Sequence, residues 1–522
     1  MPDPCGPASH AGVHGYEGCV GLVRSSVDRA EEDDTLPSEM TLHCTERSDA
    51  PLVVFSLCLA LLAGCNWDPP NGPNVPNPPN PPNSPNRPNV LLVSIDTLRA
   101  DHVGCYGYGR KTTPFLDALA AEGTRFARAF TPSSWTVPAH MSLFTSLSPH
   151  RHGVEGMRQR LPSRVRTLAQ AFQAADYQTA AFLGWYFLSS RYGFGRGFDS
   201  YVELEPDETK LGDAPRAESV ITAALEWLEA RDRDLPFFVF VHLFDPHLHY
   251  EPPAPYDSLY TKGAVKPGAG NRSSLVPYIK GLRAETRSIP PEQLVDVIAL
   301  YDGEIRYADA QLGRLLSWLK ERGLFEDTNI LVTSDHGEEF SDHGSMEGHQ
   351  WTLYDEVLHV PMVLRVAGQA EGVVVEERVD LLDVAPTLLA SAGLKPDPQF
   401  EGRSLLGRAE GAPSGDDALV FSRIERFNKK RAVRSARYKL IHTLDTERNR
   451  FGVPIRPGFE LYDLQSDPSE QVNVIAERPE VARVLKEQLD QWSRASTPSD
   501  VGELPPLSDE QRRMLEGLGY VE

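Results

Sequence analysis

Residues 87–101 read Arg-Pro-Asn-Val-Leu-Leu-Val-Ser-Ile-Asp-Thr-Leu-Arg-Ala-Asp. The run 90–95 is apolar almost throughout, which suits a strand covered on both faces and so a parallel sheet lying between helices. It stops at Asp96. The pattern recurs at 236–242 (PFFVFVH), soon followed by Asp245-Pro-His-Leu-His249, and at 329–334 (NILVTS), followed by Asp335-His336-Gly337. Residues 179–183 and 360–366 read as further buried strands. Between them lie helices: Thr113-Pro114 opens one with Phe115, Leu116 and Leu119 on one face, and Leu312, Leu315, Leu316 and Leu319 mark another. Strands alternating with helices predict an α/β fold, a mainly parallel sheet sandwiched by helices, over residues 90–415. From about Asp416 the texture changes to short strands at 419–422, 430–434 and 438–442 and a helix at 481–492. These predict a smaller C-terminal α+β subdomain, 416–522.

In open α/β sheets ligands bind at the carboxyl ends of the strands. A lone Asp there is usually a turn residue or a helix cap. Three of them, Asp96, Asp245 and Asp335, two followed closely by His, point to a divalent cation site. Asp96, Asp335 and His336 supply oxygen and nitrogen ligands. Thr136, in the segment 131–149 (TPSSWTVPAHMSLFTSLSP), precedes a helix whose first turn accommodates Pro138. A Thr in that position is most often only an N-cap, but the positive helix end also favours an anion beside its hydroxyl. A cation would lower the pKa of that hydroxyl and aim it at the phosphorus or sulfur of an ester. Asp245 and His249, four residues apart, are candidates to hold a second cation, and His247 to donate to the ester's oxygen.

Lys and Arg total 52 against 74 Asp and Glu, a net charge of −22. That balance argues against nucleic acid or an anionic membrane face as the main partner. An anionic substrate must therefore be drawn in by local cations. Five of the six cysteines lie in the first 65 residues and Cys105 alone lies in the body, so no disulfide framework or zinc spacing arises. Residues 1–39 lack apolar periodicity and read as disordered or as an over-extended start before Met40. Residues 52–63 form an apolar run of signal-peptide length, too short for a bilayer core of about 30 Å. It ends in Leu62-Ala63-Gly64-Cys65, which is similar to a bacterial lipoprotein processing box. Residues 40–65 are thus expected to be a lipoprotein signal peptide, with Cys65 acylated, and the Pro/Asn-rich 66–89 a stiff tether. Together they imply a lipoprotein of a bacterial cell envelope, held by its lipid at the periplasmic or outer-membrane face.

From Pro88 onward the chain resembles the sulfatases of the alkaline phosphatase superfamily. The resemblance is carried by 87–101, Pro149-His-Arg-His-Gly-Val154, Phe244-Asp-Pro-His247, Tyr301-Asp-Gly-Glu-Ile305, Ser334-Asp-His-Gly337, Leu353-Tyr-Asp355, Glu460-Leu-Tyr-Asp-Leu464 and Asp467-Pro468, in that order. It implies hydrolysis of a sulfate ester of a small molecule, glycan or lipid with a bound divalent metal, typically calcium. It places Asp96, Asp335 and His336 on metal-ligand positions, Thr136 on the nucleophile, His247 on a substrate-contacting histidine and His349 on a position often held by a substrate-binding Lys.

The departures are specific. Sulfatases carry Cys or Ser, any residue, Pro, any residue, Arg, with the first converted to formylglycine; here the five are Thr136-Val-Pro-Ala-His140. Thr cannot become formylglycine, which leaves direct attack by Thr136, with His140 in the Arg position orienting Thr136 or a phosphate oxygen. The paired Asp after the first strand is Asp96-Thr97, and Trp185 replaces the Lys expected near Gly184. Fewer Asp and more His ligands lean toward zinc or manganese. Three readings follow: a sulfate ester hydrolase with calcium; a phosphodiesterase, phosphonate hydrolase or phosphoryl transferase with zinc or manganese, two ions included; and an inactive, surface-tethered binding protein. Mass spectrometry of the mature protein is expected to find acyl groups on Cys65 as the first residue; a chain retaining residues before Cys65 would contradict the anchor.

Overall fold

Residues too apolar to alternate have to be covered twice, and the structure covers them twice. The large sheet contains β1 (Asn89–Ile95), β2 (Thr124–Phe130), β3 (Gln178–Leu183), β4 (Ser200–Glu203), β5 (Phe237–Leu243), β6 (Thr328–Thr333), β7 (His359–Val360), β8 (Met362–Arg365) and β9 (Val373–Asp380). Their order is β9-β2-β8-β6-β1-β5-β3-β4, with β7 paired to β2. The structure, a computed structural model, describes residues 87–204, 215–279, 287–344, 346, 349–407, 418–444, 448, 453–494, 498, 500–509 and 512. The expectations for the signal peptide, for Cys65 and for most of the tether fall on residues outside these.

β1 lies between β5 and β6, parallel to both. Alternate residues of these strands enter two separate cores. Val90 and Leu92 join Phe238, Phe240 and Leu331 on one face. Leu91, Val93 and Ile95 join Val239, Val241, Leu243, Ile330 and Val332 on the other. The relevant helices are α1 (Pro114–Ala121), α2 (Thr136–Thr145), α3 (Leu168–Gln173), α4 (Ala217–Ala230), α5 (Pro291–Glu321) and α6 (Val384–Ser391). The first face is covered by α2, α3 and α6, the second by α1, α4 and α5. The fold is the expected mainly parallel sheet between helices. β7 and β8 depart from it, running antiparallel to β2, and β8 antiparallel also to β6. The single strand read at 360–366 is split, because Pro361 has no N–H to give the ladder.

Two local details correct the sequence reading of α1. Thr113 makes no cap hydrogen bond to the helix. The capping acceptor is Asp309 of α5, whose carboxylate takes the amides of Phe115 (3.0 Å) and Leu116 (2.9 Å). Phe115 lies over Gly313 of α5 so closely that a Cβ there would come within 2.5 Å of the ring. Only glycine permits the two helices that approach.

The C-terminal sheet is antiparallel in simple order: β10 (Val420–Glu425), β11 (Lys429–Arg434), β12 (Tyr438–Thr443) and β13 (Gly458–Asp463). Its own small core sets Val433, Leu440 and Leu461 against Leu485 and Leu489 of α7 (Pro479–Ser493). Lys439 fastens it to the large domain, with Nζ 2.8 Å from Asp355 and 2.9 Å from Glu470. Leu440 is completely buried. Leu440→Ala should cost about 2–5 kcal/mol of stability by transfer and cavity terms, read as a lowered denaturation midpoint in urea.

Candidate active site

The pairing of β1 with β6 sets Ser94 beside Thr333, so Asp96 and Asp335 emerge together at the same edge. Both are fully buried, as is His336. His336 donates Nδ1–H to the carbonyl of Gly337 (3.0 Å), which leaves the lone pair on Nε2. That lone pair faces oxygens: Asp335 Oδ2 at 3.2 Å, Asp96 Oδ1 at 4.0 Å and Thr136 Oγ1 at 3.5 Å. Asp335 Oδ1 accepts the amides of His336 (2.9 Å) and Thr97 (3.3 Å). Asp335 Oδ2 and both oxygens of Asp96 receive no hydrogen bond.

Buried carboxylate oxygens facing an imidazole lone pair are repulsive until a positive charge lies between them. Burial pushes the Asp96 carboxyl up to about 7, the neighbouring Glu338 adds to the rise and His336 opposes it. Ligand atoms of Asp96, Asp335 and His336 lie within 4.8 Å of one another. Two carboxylates and one imidazole are a donor set that fits a divalent cation. Among the described residues no other three His, Cys, Asp or Glu side chains are grouped in this way.

Thr136 is the first helical residue of α2, and Trp135 occupies the N-cap. The expectation that Thr136 stands just before the helix is therefore off by one residue. The shift matters, because its hydroxyl is not used in capping and instead donates to His336 Nε2. His140, one turn on, donates Nδ1–H to the Thr136 carbonyl (3.0 Å), while Nε2 accepts from Ser94 Oγ (2.9 Å). The same Nδ1 lies 3.4 Å from Asp335 Oδ2. Burial pulls His140 down to about 3, so it is neutral. Of its two expected tasks, the geometry matches orienting Thr136.

His349 lies flat against His336, with ring centroids 4.7 Å apart and planes at 16°. Its Nδ1–H is given to Glu338 (3.0 Å), and burial brings it down to about 3. His247 stacks on Phe244 at 4.5 Å, stands 5.2 Å from His349 and donates Nδ1–H to Leu248 O (2.8 Å). Burial, then the charge of His349, depresses it well below the ordinary range. Trp185, where a Lys was expected, stacks on the other partner of His247, Phe244, at 4.2 Å.

Asp245 and His249 do not join this group. Asp245 accepts the amide of Ala217 (2.6 Å) and so caps the start of α4. His249 Nδ1 accepts the amide of Arg272 (3.0 Å). The amide at the start of α4, which has no acceptor within the helix, claims the Asp245 carboxylate, the ordinary role of an acid at a helix start. Two residues that the sequence did not single out are at the edge. His242 Nε2 is 3.2 Å from Asp96 Oδ2, and Glu338 is fully buried beneath His349. His242 was visible as the one ionisable residue in an otherwise apolar strand; Glu338 had no comparable mark.

Comparison with known proteins agrees with this architecture. The sulfatase family model matches residues 88–394, and a model described as N-sulphoglucosamine sulphohydrolase, C-terminal, matches 343–495. Arylsulfatase K of Mus musculus is 24% identical over 418 residues, covering 72% of this chain and 74% of its own. The phosphonate monoester hydrolase of Agrobacterium radiobacter superposes with a TM-score of 0.62 at 24% identity, covering 81% of this chain and 100% of its own. A 2-O GAG sulfatase superposes with a TM-score of 0.61 at 22% identity, covering 78% and 91%. With a family match extending over more than half its length, the chain belongs to the sulfatase family.

Proposed function

We propose that this sulfatase-family hydrolase cleaves sulfate esters by direct attack of Thr136, in a site dependent on a divalent cation held by Asp96, Asp335 and His336. The observation that carries the reading is the Thr136 hydroxyl 3.5 Å from His336 Nε2, beside buried carboxylate oxygens that receive no hydrogen bond. When bound, the cation supplies positive charge that lowers the pKa of the hydroxyl and withdraws charge from the ester. The chain's own residues do the rest. His140 and Ser94 fix the first turn of α2, so Thr136 is aimed rather than rotating freely. The start of that ten-residue helix adds a favourable field for an oxyanion. Thr136 Oγ bonds to sulfur as the bond from sulfur to the alcohol oxygen breaks. The Thr proton is released to solvent water as the bond to sulfur forms, and the leaving oxygen takes up a proton in exchange, a step for which His247 is the candidate donor. Water then hydrolyses the ester on Thr136 and restores the hydroxyl.

A second reading is favoured by the same hydroxyl. Without formylglycine there is no hydrated aldehyde to expel sulfate by elimination, so the covalent ester on Thr136 has to be cleaved by water. Phosphorus accepts a water nucleophile readily, and the phosphonate monoester hydrolase named above shares the fold. The proposed substrates of this reading are phosphodiesters or phosphonate esters, with zinc or manganese in place of calcium. The small-molecule or glycan portion fits the names of the sulfatase relatives in either case. The proposed location is a bacterial cell envelope, through lipid on Cys65.

Thr136→Ala should lower kcat/KM by about 10³-fold or more while metal content and far-UV circular dichroism stay unchanged. The assay pairs 4-nitrophenyl sulfate with bis(4-nitrophenyl) phosphate and a phenylphosphonate ester, and the preferred ester decides between the two readings. Retained turnover would remove Thr136 from the mechanism. Asp96→Asn and Asp335→Asn should each weaken divalent metal binding by about tenfold or more, whereas Asp245→Asn should not. Elemental analysis after dialysis against chelator and re-addition of metal checks this, and equal losses in all three would relocate the site.

A further inference from the structure

The segment 301–305 of α5 supplies no ligand to the candidate cation site, yet its first residue reaches the turn that follows Asp96. Tyr301 is completely buried and boxed in by rings from three other segments, Phe340 at 4.7 Å, His102 at 5.2 Å and Tyr250 at 5.6 Å. Its hydroxyl donates to the carbonyl of Thr97 (2.7 Å) and accepts the amide of Arg99 (3.0 Å). One oxygen thus grips both ends of the turn.

Buried amides have to be paired, and each amide from 96 to 99 is paired with another segment. Asp96 gives to the Leu243 carbonyl at the end of β5 (2.8 Å), Thr97 to Asp335 Oδ1 (3.3 Å), Leu98 to Ser334 Oγ (3.0 Å) and Arg99 to Tyr301. Ser334 in turn donates to the carbonyl of His336 (2.7 Å). The turn is therefore tied to the strand end that carries the other two candidate ligands, and to α5.

Thr97 itself lies in the left-handed region, with φ at 54°. Its branched Cβ crowds the backbone there, so the conformation is costly and persists only where the surroundings impose it. The side chain does not repay the cost, because its buried hydroxyl has no hydrogen-bond partner among the described residues. Relaxing Thr97 would swing the peptide directly after Asp96, and with it the amide that Asp335 accepts.

We propose that Tyr301 is a positioning residue for the cation site: its hydroxyl clamps residues 97–99 in the strained turn that keeps Asp96 opposite Asp335 and His336, and so sets cation affinity without touching the ion. The proposal rests on the reading of Asp96, Asp335 and His336 as the ligands of a divalent cation. α5 is a suitable anchor, since its 31 residues are packed along the second core and do not follow a local relaxation of the turn. A partner of this kind acts by fixing where a ligand stands.

The test measures cation binding by the full chain after dialysis against chelator. Titration calorimetry with calcium, manganese and zinc identifies the ion that the parent holds most tightly. Tyr301→Phe removes one oxygen and keeps the ring, and should weaken binding of that ion by about tenfold or more at unchanged far-UV circular dichroism. A role confined to packing would lower the denaturation midpoint and leave the affinity alone. Glycine adopts positive φ without the cost, so Thr97→Gly supplies the rescue: in that background Tyr301→Phe should change the affinity by no more than about threefold. If Tyr301→Phe alone does not fold, adding Thr97→Gly should restore folding and binding together. Unchanged affinity in Tyr301→Phe, an equal loss in both backgrounds, or a double variant that stays unfolded overturns the clamp. A parent that binds none of the three ions refutes the cation site itself, and the clamp with it, so that failure is distinguishable from failure of the clamp alone.

Discussion

Two buried carboxylates that face each other across adjacent strands would repel, and the edge of the sheet is organised around relieving that repulsion. Asp96 and Asp335 are neighbours because β1 and β6 are paired in parallel register; no loop rearrangement is involved. His336 turns Nε2 to the same point because its Nδ1 is held by the carbonyl of Gly337. The three candidate ligands are then fixed by strand ends rather than by flexible segments, the kind of support a geometrically demanding site needs. The two hydrophobic cores on either side of the sheet are what hold those strand ends in register.

The same arrangement accounts for Thr136. A hydroxyl at a helix start ordinarily satisfies backbone amides. Here Trp135 is the N-cap and Thr136 enters the first turn, so the hydroxyl is turned toward His336. His140 is bound at both nitrogens by groups of the protein, so it supports the nucleophile's backbone. An arginine in that place would have carried charge to the substrate.

Much of this was legible in the chain. Unbroken apolar strands ending in acids gave the sheet, its edge and the convergence of Asp96, Asp335 and His336, because burial on both faces leaves a distinct pattern. β2 was missed, since Arg125 and Arg128 interrupt its apolar residues, and so was β9, whose Glu376, Glu377 and Arg378 read as surface. Both lie toward the edge of the sheet, where one-sided exposure blurs the period. Asp245 misled for another reason: an acid after a strand looks the same in sequence whether a cation or a helix start receives it. Only the position of Ala217, 28 residues earlier, decides between them.

The residue hardest to foresee, Arg426, shows where linear reading ends. Its neighbours in sequence suggest a polar hairpin tip, and nothing near it marks a site. Its setting is made by Trp135, Phe187 and Trp351, which come from three segments of the large domain and share no spacing with it. The rings meet the faces of its guanidinium, and in the plane Nη2 donates to Met157 Sδ (3.3 Å), from a further segment of the large domain.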